Sequence, residues 1–297
     1  MRFIVPIVID REIPAYTTST EERIFVIDRQ RAAAQKTRPL EIAILDLIPT
    51  EEASEARFIR LLSNSPVPVN ITLLKSSAYP VQVKTSKIYK EFSEIKHRKF
   101  DGMIITGTPF ENTTSGKMKY WSEIKEIFDW TKTNVNCTLF SCWAAQTALN
   151  YFYNIKKHPL KKNCFGIFTH NRVLDGVAEP LMRGISDEFN MPHSRHNIVY
   201  AKDILHIKEL KILSYSKRAG ASIIKSVDNR RVFLTGHLEY DRYTLKNQFE
   251  QNCSDLKPPV NYFSDKEKTE VNMSWASSAN LFYINWLNYY VYQAEAA

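Results

Sequence analysis

The feature that most restricts this chain is a repeated switch of hydrophobic period. Residues 40–47 (LEIAILDL) form a short, β-branched apolar run, as expected of a strand buried on both faces of a parallel sheet. Residues 53–62 follow with Ala56, Phe58, Ile59 and Leu62 on a helical stripe. The switch then recurs. Residues 67–74 (VPVNITLL) read as a strand, with Pro68 arguing for an edge or a late start. Residues 102–106 (GMIIT) are a third strand, ended by the turn Gly107-Thr108-Pro109, and residues 121–131 carry Ile124, Ile127, Phe128 and Trp130 as a helix. A fourth strand over 138–141 (TLFS), extending back towards Val135, enters a helix over 143–153 with no linker. In the second half, residues 211–215, 222–226 and 231–235 read as strands and 243–251 as a helix. The aromatic-rich stretch 279–293 reads as a helix docked on the core. Such alternation predicts a single α/β domain over 1–297, its core sheet built from 35–150 and 205–297. Residues 155–205 fit the alternation poorly and read as an insertion.

Composition narrows the function classes. There are only eight glycines in 297 residues. They cannot form a G-x-G-x-x-G dinucleotide loop, and although Gly102 and Gly107 have P-loop spacing, Thr108 stands where that loop needs lysine. The net charge is +8, with basic residues gathered at 87–99 and 156–162. In the first run Glu91 and Glu94 interleave with the lysines, which suits a solvated helix face, and neither run carries a nucleic-acid motif. A small anionic substrate is the better match for this charge, with no nucleic-acid partner. Four cysteines without a CxxC pair make neither a disulfide framework nor a zinc site, so no metal is expected. The apolar stretch 3–9 is short and runs straight into Asp10 and Arg11, unlike a signal peptide or a membrane span. A reducing cytoplasm is expected.

Two segments have the makings of chemistry. In TLFSCWAAQTALN (138–150) the residue between strand and helix is Cys142. A sharp strand-to-helix turn exposes its side chain above a helix N-terminus, where the dipole favours a thiolate and backbone amides can cradle an oxyanion. The segment alone is also compatible with a buried cysteine packing as a small hydrophobe. In RVFLTGHLEYD (231–241) a strand ends at Gly236, and His237 and Glu239 follow two apart. In an extended segment such residues face the same way, so the carboxylate can hold one imidazole tautomer while the other nitrogen faces a nucleophile. Both segments sit at C-terminal strand ends, where open α/β sheets bind ligands, and together they predict a Cys-His-Glu triad. The stretch 191–196 (MPHSRH) reads as a loop offering hydroxyl, imidazole and guanidinium to a carboxylate or phosphate. Cys137, Cys164 and Cys253 read as packing cysteines.

Over essentially its full length the chain resembles the homoserine O-acyltransferases of methionine biosynthesis. The resemblance is carried by RPLEIAILDLIP (38–49), RLLSNSPVPV (60–69), DGMIITGTP (101–109), TLFSCWAAQTALN (138–150), MPHSR (191–195), TGHLEYD (235–241) and NWLNYYVYQ (285–293). It implies a flavodoxin-like three-layer α/β sandwich like that of the class I glutamine amidotransferases. It further implies that Cys142 carries the acyl group, that His237 is the general base and Glu239 its orienter, and that backbone at Trp143 and Thr108 forms an oxyanion hole. Ser194 and Arg195 match the substrate pocket. Glu111 matches a position where glutamate goes with acetyl-CoA and glycine with succinyl-CoA; a carboxylate there would repel a succinyl carboxylate. No cofactor is implied beyond acetyl-CoA as co-substrate, and a homodimer is plausible by resemblance.

The departures fall on the acceptor side. Asn163 and Gln251 stand where the family has a lysine and an arginine that grip the amino acid, Thr50 and Glu51 replace a lysine pair, and Leu238 replaces a proline. The family's W-R-x-H pattern is Trp275-Ala276-Ser277-Ser278. The expected reaction is acetyl transfer from acetyl-CoA to the hydroxyl of homoserine or serine. Succinyl transfer, glutamine hydrolysis as in an amidotransferase, and a non-catalytic binding role are the alternatives.

Overall fold

The structure, a computed structural model, describes residues 7–21, 24, 26–33, 38–47, 54–64, 67–77, 88–107, 121–174, 176, 178–251 and 257–292. Thr108 and Glu111, Thr50 and Glu51, and Cys253 lie outside the described residues. The chain divides into two compact units. One takes in the described residues of 1–109, 113–140 and 283–297, the other those of 110–112 and 141–282.

The first unit runs through β1 (Ile7–Val8), α1 (Pro14–Glu21), β2 (Val26–Ile27), α2 (Arg29–Ala33), β3 (Leu40–Asp46), α3 (Ser54–Leu62) and β4 (Val69–Lys75). It continues through β5 (Lys90–Glu91), α4 (Phe92–Ile95), β6 (Phe100–Ile105), α5 (Trp121–Asn134) and β7 (Val135–Ser141). The strand order is β2-β1-β4-β3-β6-β7 with β5 beside β4, and every pairing is parallel. β3 and β6 are buried almost throughout, the reason their sequences lack polar alternation. The polar exception in β6, Asp101, is satisfied by Arg38 at 3.1 Å and by the backbone N–H of Glu41 at 2.7 Å. β4 starts after Pro68, whose carbonyl accepts from the Leu40 amide at 2.8 Å, so proline costs the ladder no donor. The basic run 87–99 is not a long solvated helix face. It holds β5 and the single turn of α4, where Phe92 and Ile95 are buried and Glu94 accepts from the Glu91 amide at 2.7 Å.

The second unit contains α6 (Trp143–Tyr153), β8 (His158–Arg172), β9 (Glu188–Ile198), α7 (Ala201–Leu205), β10 (Leu210–Ser216), β11 (Gly220–Ser226), β12 (Arg231–Leu234), α8 (Thr244–Gln251) and α9 (Ala276–Asn285) up to Phe282. Its strand order is β12-β11-β10-β8-β9, antiparallel throughout. The stretch 155–205 holds β8 and β9, of 15 and 11 residues, which pair with each other and, through β8, with β10. Its strand signal is hidden by polar residues and by a register shift between Pro159 and Cys164. The second basic run, 156–162, thus leads into and opens β8. Lys225 is buried in β11, where Glu179 at 2.9 Å and Asn229 at 2.6 Å satisfy its amine.

The C-terminal segment is helical as far as Asn285 and then widens into π-helical turns over Trp286–Tyr292. Trp286, Leu287, Tyr290 and Val291 are the buried residues of these turns. Trp286 donates its indole N–H to Cys137 Sγ at 3.3 Å, so this cysteine has a packing role. Gly102 in β6 makes the approach possible: a Cβ there would lie 2.8 Å from Ile42 Cδ1 and 3.0 Å from both Trp286 Cη2 and Val291 Cγ2. Gly102→Ala is expected to lower stability by about 1–3 kcal/mol by overpacking, read as a shift of the urea midpoint. An unchanged midpoint would mean that the C-terminal turns do not pack against this glycine.

Candidate active site

Cys142 is the only residue between β7 and α6, and its backbone is bent to fit. Its φ of 51° and ψ of −110° lie in a region that side-chain-bearing residues avoid. The Cys142 amide donates to Leu234 O, the last residue of β12, at 2.7 Å. The first backbone bond of α6 closes from Gln146 N to Cys142 O at 3.2 Å. The thiol is buried, with Sγ 4.0 Å from the carbonyl oxygen of Ser194 on β9. It therefore stands over the amide-rich start of an 11-residue helix. Trp143, the first residue of that helix, is buried beneath Lys157, whose amine lies 5.2 Å from its ring.

The second segment meets the first at Leu234. Beyond it, Thr235 N–H donates to Ser222 O at 2.9 Å and His237 N–H to Pro192 O at 2.8 Å. The His237–Glu239 pair forms as expected, but through a turn rather than an extended strand: Tyr240 N–H donates to His237 O at 3.3 Å. Leu238 thus takes the second position of a four-residue turn, a position that also suits proline. His237 Nδ1 lies 2.6 Å from Glu239 Oε1, with both side chains buried. The same oxygen accepts from Ser141 Oγ at 3.5 Å, one residue before the cysteine. His237 Nε2 is buried with no hydrogen-bond partner. A carboxylate on Nδ1 sets the tautomer that leaves Nε2 as the basic nitrogen.

Below the histidine lies a second buried layer. Gly236 has no room for a side chain: a Cβ would come within 2.4 Å of Met191 Sδ and 2.9 Å of His193 Nε2. His193 stacks on His170 with 5.1 Å between centroids, and their Nε2 atoms are 3.2 Å apart. Burial holds both rings neutral, pulling His170 down to about 4 and His193 well below the ordinary imidazole range, helped by the Arg195 charge. The tautomers follow from Arg195, which can only donate. Its Nε reaches His193 Nδ1 at 3.2 Å, so His193 carries its proton on Nε2, which faces His170 Nε2 at 3.2 Å and the Thr235 backbone. His170 in turn donates from Nδ1 to Phe168 O at 2.8 Å.

The structure thus brings Cys142, His237, Glu239, Trp143 and Ser194 into one neighbourhood, and distributes the other sequence candidates differently. Residues 191–196 are part of β9, not a loop; their polar side chains masked a strand in which Met191, His193 and Arg195 are buried. The remaining donors of Arg195 go to Asn197 O at 2.6 Å and to Ala219 O. Asn163 is exposed near the start of β8, with Oδ1 2.7 Å from His196 Nδ1. Gln251 is the exposed last residue of α8. Ser141, Tyr240 and His170 were not legible as site residues, although Ser141 and Tyr240 each adjoin a residue that was, and His193 was legible only as part of a loop. Among the described residues no group of three or more His, Cys, Asp or Glu is arranged to hold a metal. None of the described helices is long and apolar enough to cross a membrane.

Solved structures place this fold. A glutamine amidotransferase from Thermotoga maritima superposes with a TM-score of 0.56 at 12% identity, over 84% of this chain and 97% of that one. Another from Methylobacillus flagellatus gives 0.54 at 11% identity, over 85% and 95%. The fold is therefore mixed α/β, like that of the glutamine amidotransferases. At the sequence level a family model described as homoserine O-succinyltransferase matches residues 6–297. The chain is 47% identical to a homoserine O-acetyltransferase of Geobacillus sp. (strain WCH70), over 97% of this chain and 98% of the relative. It is 44% identical to one of Acetivibrio thermocellus, over 97% of each. The chain belongs to the homoserine O-acyltransferase family and is an acyltransferase.

The bent backbone at Cys142 is testable apart from any reaction. Cys142→Gly is expected to be more stable than Cys142→Ala by roughly 1 kcal/mol, since only glycine adopts this φ without steric cost. Urea unfolding of the two variants side by side checks it, and an alanine variant of equal or greater stability would remove the claim of strain.

Proposed function

We propose that the protein transfers an acetyl group from acetyl-CoA to the side-chain hydroxyl of a small amino acid, homoserine or serine, through a Cys142 acyl-enzyme. The observation that carries this reading is the buried His237 imidazole, held by Glu239 through Nδ1 at 2.6 Å and presenting a partnerless Nε2. Paired with a cysteine at a helix start, it supplies a nucleophile and a base. The Cys142 thiolate attacks the thioester carbonyl, and the oxyanion is met by the amide of Trp143 at the start of α6, with Thr108 the second donor expected from the resemblance. The carbon–sulfur bond to CoA breaks, and the CoA sulfur takes the proton that His237 removed from the thiol. The acceptor hydroxyl then attacks the acetyl-cysteine thioester while His237 Nε2 accepts its proton, and the cysteine thiolate leaves.

Acetyl is favoured over succinyl by Glu111 and by relatives named homoserine O-acetyltransferase, against a family description that names succinyl transfer. The acceptor is read by the β8–β9 face that carries Ser194, with Arg195 bracing it and Asn163 and Gln251 in place of the family's lysine and arginine. Serine stays beside homoserine because one methylene is worth only about 1–3 kcal/mol of discrimination. The product would feed methionine synthesis from homoserine, or cysteine synthesis from serine. The buried thiols of Cys137, Cys142 and Cys164, none in a disulfide, suit a reducing cytoplasm.

Thiol release from acetyl- or succinyl-CoA with each acceptor tests the reading. Acetyl-CoA should turn over at least about tenfold faster than succinyl-CoA. Cys142→Ala should lose on the order of a thousandfold in kcat or more, and intact mass should show one acetyl group on the wild type and none on that variant. Turnover with succinyl-CoA alone would overturn the donor; an undiminished Cys142→Ala enzyme would overturn the nucleophile.

A further inference from the structure

The Glu239 bond leaves one freedom of the His237 ring uncontrolled. A single Nδ1···Oε1 contact sets the direction of the imidazole but lets its plane tilt about that axis, and a tilt swings Nε2 away from its target. The turn that forms the pair also places a ring against that plane. Residues 237 and 240 are its first and last positions, and the imidazole and the Tyr240 phenol stack with centroids 4.0 Å apart and planes 15° from parallel. Tyr240 is itself buried and fastened at both ends. Its carbonyl accepts from Trp275 Nε1 at 2.9 Å, and its hydroxyl accepts from Gln248 Nε2 at 3.0 Å. Trp275 is fully buried, so the carbonyl end rests on the core of its unit.

We propose that Tyr240 is the positioning residue of the proposed general base: its face holds the plane of the His237 imidazole and stabilises the imidazolium formed when Nε2 takes up a proton. This rests on the acyl-transfer reading given above for the role of His237, though not for the stack itself. The ring face carries the negative side of the aromatic quadrupole, and a cation over it in a water-poor site is attracted, while a neutral imidazole gains far less. The other groups around His237 act alongside. Glu239 faces Nδ1 and favours the cation; neutral His193 lies under Gly236; Arg195 beyond it opposes the cation; Ser141 is bonded to Glu239; and Cys142 begins the neighbouring helix. Tyr240 favours the cation without adding a charge or a titrating group near neutral pH.

The test separates ring electrons from ring shape. Tyr240→Phe keeps the stack and loses the Gln248 contact, and phenylalanines of increasing fluorination at position 240 weaken the quadrupole at nearly constant shape. The His237 imidazole is followed by nitrogen NMR against pH in a Cys142→Ala background, which removes the thiol as a coupled titrating group. Tyr240→Phe should titrate close to the tyrosine protein. The fluorinated series should move the His237 midpoint stepwise to lower pH, by about half a unit to one unit at full fluorination. In proteins that retain Cys142, the acid limb of kcat/KM should move by the same amount. A midpoint that stays put along the series, in proteins with unchanged thermal unfolding, would overturn the proposal. If wild-type protein has no acyltransferase turnover, the acetyl-transfer reading fails while the titration still decides the stack.

Discussion

The hydrogen bond from the Cys142 amide to the Leu234 carbonyl, 2.7 Å long, is the contact on which the site depends. Its donor is a residue with positive φ that ends one strand and starts a helix without a loop. Its acceptor ends another strand, two residues before Gly236 and three before His237. With the bond made, the thiol stands over the start of α6 and the His237 turn begins beside it. Strain at Cys142 and order at His237 are therefore two results of one junction, and the rigid sheet behind them bears the cost.

Around that junction most buried polar groups find partners, while His237 Nε2, Glu239 Oε2, Trp143 Nε1 and Gln146 Oε1 are buried without one. Glu239 serves both His237 and Ser141, so the carboxylate bridges the residue before the cysteine and the histidine. Beneath Gly236, Arg195, His193, His170 and Phe168 O form a chain of polar contacts in which both imidazoles are neutral. Low dielectric enforces that neutrality and also strengthens each bond in the chain. Such a floor resists displacement, and a glycine above it lets the His237 backbone sit directly on it.

The amidotransferase-like fold and the acyltransferase family meet in the residues that flank the proposed nucleophile. Ser141 and Trp143 occupy positions where a nucleophile elbow commonly carries glycine. Ser141 is drawn to Glu239, and Trp143 is packed under Lys157. Side chains at these positions make the surroundings of the thiol drier and more crowded than glycines would. The thioester intermediate proposed above, which must wait for an amino-acid hydroxyl, would be helped by a site that keeps water away.

Much of this was legible in the residues themselves. Apolar runs with β-branched residues marked β3, β6 and β7 because strands buried on both faces have no polar alternation to hide them. Cys142 stood out through its position between two periods, and His237 with Glu239 through their place after a strand-ending glycine. The long hairpin of β8 and β9 did not stand out, since His170, His193 and Arg195 are buried by partners distant in sequence while exposed and half-buried polar residues between them break any period. Nor could residue spacing show that His237 and Glu239 join through a turn, that Tyr240 stacks on the imidazole, or that Arg195 points inward to a histidine pair. By itself the sequence determined the parallel α/β core, the family, and the three residues proposed to carry the chemistry, because local periodicity and short motifs encode them. Tertiary structure alone decided how those residues are oriented and which neighbours hold them, because local contacts such as the His237–Tyr240 stack depend on the turn the fold imposes, and hydrogen bonds 23 and 98 positions apart leave no local trace.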